Sequence, residues 1–188
     1  MKEQIFDYYK SLYRDIPMAV YEGLLSVLCL GMVVIIVCYG FKRGWRKIVG
    51  LLLTEYVFLL FCSTVVFRTA ADGNGHDFHP FWSYEAIENG RPELLVENVM
   101  NVVVFIPVGL LLGLVSQKTQ KTQKGLCRTR MVRIALIIGV GLIISLSIEA
   151  IQYYLHRGFA ETDDVMHNTL GCIVGYGIIS LTRKIIKV

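Results

Sequence analysis

Residues 134–155 read IALIIGVGLIISLSIEAIQYYL, and His156 and Arg157 follow directly. An apolar run of about 17 to 25 residues is long enough to cross a bilayer as a helix, yet the last part of this one holds Ser145, Glu149 and Gln152. A charge at the centre of a spanning helix costs about 2.5 to 3.5 kcal/mol on insertion scales, so Glu149 is expected to face protein or a water-filled cavity. Ser145, Glu149, Gln152 and His156 recur at helical spacing and so lie on one stripe of the helix. The segment therefore predicts a membrane helix with a polar face directed into a bundle.

The rest of the chain fits that reading. Of its 188 residues, 54% are hydrophobic and 18% charged, too apolar for an ordinary soluble domain. Further apolar windows run over Ala19–Phe41, Ile48–Phe67, Val96–Ser116 and Val165–Leu181. The expected fold is all-α, a transmembrane bundle of about five spans. Three regions follow: an amphipathic interfacial segment over 1–18, with Ile5, Phe6, Tyr9, Leu12, Tyr13 and Ile16 at helical spacing; a first transmembrane helix and inner loop over 19–47; and the main membrane domain over 48–188. Four of the five cysteines fall within spans and Cys127 in a basic loop, so reduced, packed thiols are expected.

Charge sets the orientation. Lys42, Arg43, Arg46 and Lys47 follow the first span, Lys118, Lys121, Lys124, Arg128, Arg130 and Arg133 follow the third, and Arg183, Lys184 and Lys187 follow the fifth. No acid is interspersed among them, so the positive-inside rule places these segments in the cytoplasm. The N-terminus is then outside and the C-terminus inside. The +4 net charge reflects this topology and gives no support to nucleic-acid binding. The long connection 68–95 carries turn signals at Asp72-Gly73-Asn74-Gly75 and Asn89-Gly90-Arg91-Pro92, with Phe78, Phe81, Trp82 and Tyr84 between them. These aromatics are expected to cover the outer helix ends.

Two other spans carry polar positions at the same end. Asp164, Asn168, Gly171 and Gly175 form a stripe on the last span, with Asp163 and His167 beside it, and Glu97, Asn98 and Asn101 open the third, which contains Pro107. Glu149 and Asp164 are the candidate acid–base groups. Asn98, Asn101, Gln152, Arg157, Asp163 and Asn168 are the candidate ligand contacts, with the Arg157 guanidinium suited to a carboxylate or phosphate. A plainer role as interhelical hydrogen-bond and packing contacts also accounts for the amides and glycines. Glu55, in the second span, has no evident basic partner. His76 and His79 alone do not make a metal site, since structural zinc sites usually show four ligands, and no cofactor is expected.

Several of these blocks occur in an ordered set: Asn98-x-x-Asn101-x-x-x-Phe105-Ile-Pro107-x-Gly109, Ile148-Glu149-x-x-Gln152, Arg157, Asp163-Asp164-Val165, Asn168-Thr-Leu-Gly171 and Gly175-Tyr176. The set resembles the VanZ-like family of bacterial membrane proteins over roughly residues 48–181, and His79-Pro80-Phe81 is similar to an element preceding the family's third block. The resemblance implies a multi-pass protein of the bacterial cell membrane with a role at the envelope, and a link to glycopeptide (teicoplanin) resistance in the protein that names the family. The expected partners are membrane lipids and a lipid-linked cell-wall precursor or lipoglycopeptide, bound in an outward-facing polar cavity. An enzyme acting on a lipid-linked glycosyl or phosphoryl bond through Glu149 or Asp164 is the alternative. Transport has less support, since no internal repeat is visible.

The orientation is testable by thiol labelling. Single cysteines placed at Gly75 and Lys121 in a cysteine-free background should differ: an impermeant reagent applied to intact cells labels the Gly75 position alone. Labelling only at Lys121 would invert the topology.

Overall fold

The computed structural model describes residues 16–68, 75–116 and 126–186. The expected amphipathic segment 1–18 lies outside the described residues except for its last three, as do the centre of the 118–133 basic loop, Asp72 to Asn74 and Lys187. The described elements are helices α1 (Met18–Tyr39), α2 (Phe41–Phe61), α3 (Trp82–Glu88), α4 (Glu93–Val115), α5 (Leu126–Leu155) and α6 (Thr162–Ile186). A π-helical turn, Cys62–Val66, extends α2, and two short strands, β1 (His76–Asp77) and β2 (Ala160–Glu161), pair in parallel, His76 opposite Ala160. Five helical stretches are long and apolar enough to cross a membrane: Met18–Tyr39, Arg43–Val66, Glu93–Val115, Met131–Leu155 and Thr162–Thr182. The expected all-α transmembrane bundle of about five spans is what the chain forms.

The helices begin earlier than the hydropathy windows do. The basic stretch 42–47, expected to be a connecting loop, forms the first turns of α2, because Gly40 at φ 67° turns the chain within one residue. The α5 helix starts at Leu126, well before Ile134. Lys and Arg are good helix formers, so these basic stretches continue a helix that hydropathy alone would end. The α6 helix starts at Thr162, which brings Asp163 and Asp164 into its first turn, where the helix dipole favours carboxylates. At the other extreme, α5 ends at Leu155, and His156 takes a left-handed conformation (φ 53°) and is exposed. His156 therefore leaves the polar stripe, whose last helical member is Gln152.

The α4–α6 pair forms the centre of the bundle. A Cβ at Gly171 would collide with the Val102 carbonyl oxygen and one at Gly175 with that of Ile106, while Gly109 meets the Cys172 carbonyl in the same way. The two backbones are thus in contact, the arrangement small residues allow between membrane helices. Phe105, Val108, Cys172 and Tyr176 fill the seam, with Leu60 and Val65 from α2 and the π turn and Ile137 and Ile148 from α5. Helix α4 continues through Pro107, and the Tyr56 hydroxyl donates to the Val104 carbonyl (2.7 Å), tying α2 to α4 one turn before the proline. Helix α1 buries no residue against the rest of the chain and packs beside α2. Cys29, Cys38, Cys62 and Cys172 are free thiols.

Gly175→Ala should be costly for this reason. The nearest atoms to its added methyl belong to the α4 backbone and cannot rotate away, so a loss of about 1 to 3 kcal/mol is expected from overpacking. Gly139→Ala, which meets nothing within 4 Å, should be neutral or stabilising. Thermal unfolding in detergent, read by size-exclusion fluorescence, compares the two; equal midpoints would refute the contact.

Candidate functional site

Close packing of α4 on α6 brings polar residues of the third and fifth spans together, and α5 completes the set. Asn101 on α4 donates from Nδ2 to Asp164 Oδ1 on α6 (2.7 Å). Asn168, one turn deeper on α6, donates to Ser145 Oγ on α5 (2.8 Å). Ser145 stands one turn below Glu149 on its stripe, so Glu149 and Asp164 occupy the same level of the bundle. Glu149 Oε2 accepts the backbone N–H of Glu161 (3.0 Å) from β2. Among the candidates, Glu149, Gln152, Asn98, Asp163, Asp164 and Asn168 are all buried.

A roof of residues from the connection that leads into α4 covers this level. Phe81 adopts a left-handed conformation (φ 68°) that turns its N–H onto Asp163 Oδ1 (2.6 Å). Asp163 Oδ2 accepts from the Ser83 N–H (3.0 Å) and hydroxyl (2.5 Å), and Asn98 donates to that same hydroxyl oxygen (3.0 Å). Asp163 and Asn98 thus hold the start of α3 down on the bundle. The Trp82 indole N–H donates to Glu161 Oε2 (3.2 Å), and the Tyr84 hydroxyl lies 2.8 Å from His167 Nε2. Of the expected aromatic cover, Trp82 and Tyr84 are tied down through Glu161 and His167, whereas the Phe78 and Phe81 side chains are exposed.

Two arginines divide the basic work. Arg157 donates from one guanidinium nitrogen to the backbone carbonyls of Val66 (2.6 Å) and Arg68 (3.3 Å), so it braces the end of the π turn. Gln152 Nε2 donates to the Thr64 carbonyl of the same turn (2.8 Å). A π turn supplies such carbonyls because its widened ladder aims them sideways, and π segments recur at functional sites. The guanidinium inside the carboxylate cluster belongs to Arg68, 3.8 Å from Glu97. It lies over Gly158, whose φ of 117° suits glycine and whose Cβ would come within 2.7 Å of Arg68 Nε. Arg68, Glu97 and Glu161 complete the cluster beyond the sequence candidates. Glu97 was visible at the start of the third apolar window, whereas Arg68 and Glu161 sit in connections with no period to mark them.

The electrostatics follow from the crowding. Burial, and then the carboxylates of Asp164, Glu97 and Glu149, push the Glu161 carboxyl up to about 9, with Arg68 opposing. Charges at close range in a poorly solvated site disfavour further ionisation. Glu55 is separate from this cluster: its Oε1 is buried with no hydrogen-bond partner among the described residues. A cavity of about 240 Å³ also lies elsewhere, between α5 and α6 toward the basic end, lined by Ile134, Ile137, Ile138, Ile173, Tyr176 and neighbours.

The raised Glu161 carboxyl makes a signed prediction. Its neutral form is favoured in the folded state, so its contribution to stability is complete below about pH 4.5 and is lost as pH rises through about 9. The thermal midpoint should therefore fall between pH 5 and pH 9.5, and Glu161→Gln, which keeps an acceptor for Trp82, should flatten that slope. An unchanged slope in the variant would assign the pH dependence to other groups.

The VanZ/LLP1 family model matches residues 26–183. No curated protein and no solved structure matches the chain. The match runs through all five membrane-length helices and takes in every residue of the carboxylate cluster and its roof. The chain is a multi-pass membrane protein that belongs to the VanZ/LLP1 family.

Proposed function

We propose that this protein acts at the outer face of the bacterial cell membrane, where it binds the polar end of an amphiphile, a lipid-linked cell-wall precursor or a lipoglycopeptide. The observation that carries this reading is the convergence of Glu97, Glu149, Glu161, Asp164 and Arg68 at one end of the bundle, as these charges all act on one carboxyl. A set of buried charges costs more than packing alone would repay, and ionisable groups at such depth usually mark a site. Apolar surface adjoins it: Leu95, Val99, Val103, Phe159, Met166 and Leu170 are exposed on or near the same helix ends. An acyl or prenyl tail can lie along those faces while the head group meets the cluster. The positive-inside assignment directs this end outward. A role in reducing glycopeptide action, through capture of the precursor or the drug, follows from this placement.

A second reading is a membrane-embedded hydrolase or transferase. It is favoured by one feature, the placement of Glu149 and Asp164 at the same level with different partners, a backbone N–H and an amide. Carboxylates in unlike surroundings can divide acid and base roles.

One experiment separates the two. Purified protein in nanodiscs is mixed with a radiolabelled polyprenyl-diphosphate-linked disaccharide peptide, and retention and product formation are followed together. Binding without turnover is expected, weakened at least tenfold, about 1.4 kcal/mol, by Glu149→Gln or Asp164→Asn. Product formation lost in those variants would favour the enzyme. Absence of both, with teicoplanin also unbound, would remove the amphiphile reading.

A further inference from the structure

The hydrogen-bond donors and acceptors of the cluster are unequally used. Every side-chain amide there spends its nitrogen inside the protein: Asn101 on Asp164, Asn168 on Ser145, Gln152 on the Thr64 carbonyl and Asn98 on Ser83. The Trp82 indole N–H is spent on Glu161. Acceptors remain. Gln152 Oε1 and Asn168 Oδ1 are buried with no hydrogen-bond partner among the described residues, and the two residues are only 1% and 5% exposed. The orientation of Gln152 is fixed, because its nitrogen faces a carbonyl oxygen, which can only accept. An orphaned buried acceptor keeps the full desolvation penalty of its burial until a donor reaches it.

The two residues that carry these oxygens follow Glu149 and Asp164 on their helices. Gln152 is three residues beyond Glu149 on the same stripe, and Asn168 is four beyond Asp164 and tied to Ser145, itself four before Glu149. The surrounding charges are Glu97, Glu149, Glu161 and Asp164 against Arg68, and Arg68 already faces Glu97. An anion would add further acceptors and would oppose ionisation of the Glu161 carboxyl, as its acidic neighbours already do. Among the described residues no group of three or more His, Cys, Asp or Glu is disposed to hold a metal ion. The approach is also narrow, since Glu149, Asp164 and Glu161 are each under a tenth exposed.

We infer that the group entering this cluster is a primary ammonium, the compact cationic donor of an amphiphile's head group. Its three N–H bonds match the unpaired amide oxygens and the carboxyl oxygens, and its positive charge favours the ionised form of the Glu161 carboxyl, which burial and its neighbours otherwise hold neutral. The inference rests on the amphiphile reading above and names the part of the ligand that is recognised. Two sources supply such a group: the head of an aminolipid such as phosphatidylethanolamine, and the free amine of an amino sugar or peptide.

Full-length protein, delipidated in detergent, is incubated with an equimolar mixture of phosphatidylethanolamine, N-acetylated phosphatidylethanolamine, phosphatidylcholine and phosphatidylglycerol of matched chains. Bound lipid is then counted by native mass spectrometry. Phosphatidylethanolamine should be retained at least fivefold over the other three, and Glu149→Gln and Asp164→Asn should bring it down to their level. If either variant fails to insert, the wild-type ranking decides. Displacement by glucosamine but not N-acetylglucosamine assigns the site to a sugar or peptide amine; resistance to both assigns it to the lipid head. Equal retention of phosphatidylglycerol or phosphatidylcholine would overturn the ammonium inference. The amphiphile reading would survive that result if the labelled precursor still bound, and would fall with it if no amphiphile were retained.

Discussion

The contact between the α4 and α6 backbones is the constraint from which the rest of the arrangement follows. Gly109, Gly171 and Gly175 remove the side chains that would hold the helices at ordinary distance. Without water to drive association, membrane helices depend on such close packing and on interhelical hydrogen bonds. At this separation Asn101 reaches Asp164, and Asn98 reaches the Ser83 hydroxyl that is also bonded to Asp163. A wider seam would leave the same carboxylates facing lipid, where their charge could not be sustained.

Burying that much charge needs compensation, and the chain supplies it in layers. Asp163 is satisfied by three donors of the 81–83 segment, so its charge also fixes the roof. Glu149 takes a backbone N–H from β2 and Glu161 an indole N–H from α3. Arg68 brings the counter-charge, held from behind because Arg157 binds its carbonyl and Gly158 leaves room for its guanidinium. The π turn at Cys62–Val66 is part of the same construction, since it presents the carbonyls that Gln152 and Arg157 use. The amide and indole donors are consumed in these tasks, while Gln152 Oε1 and Asn168 Oδ1 are left without a hydrogen-bond partner among the described residues.

Membership of the VanZ/LLP1 family and a multi-pass fold agree with this construction. The polar cluster lies in the part of the chain that the family shares, and the apolar faces beside it are continuous with lipid-facing helix surface.

Much of this was written in the sequence. Five apolar windows of bilayer length are a one-dimensional property, and charge asymmetry between loops is another. The polar stripes were legible for a similar reason: Ser145, Glu149 and Gln152, or Asp164 and Asn168, share a face because the helix repeats every 3.6 residues. Helix ends were less legible, because basic residues hide a continuing helix from hydropathy, and His156 kept the spacing of the stripe after the helix had ended. Arg68, Glu161 and Ser83 could not be placed, as they lie in stretches that the sequence reads as connections without periodicity, and Arg68 meets Glu97 from 29 positions earlier in the chain. Arg157 shows the limit clearly. Its charge and its position just past the end of a membrane-length helix were evident from the sequence. Its use as a brace for Val66 and Arg68 arises from the path of the π turn, because hydrogen bonds between distant segments are set by where packing brings the backbone.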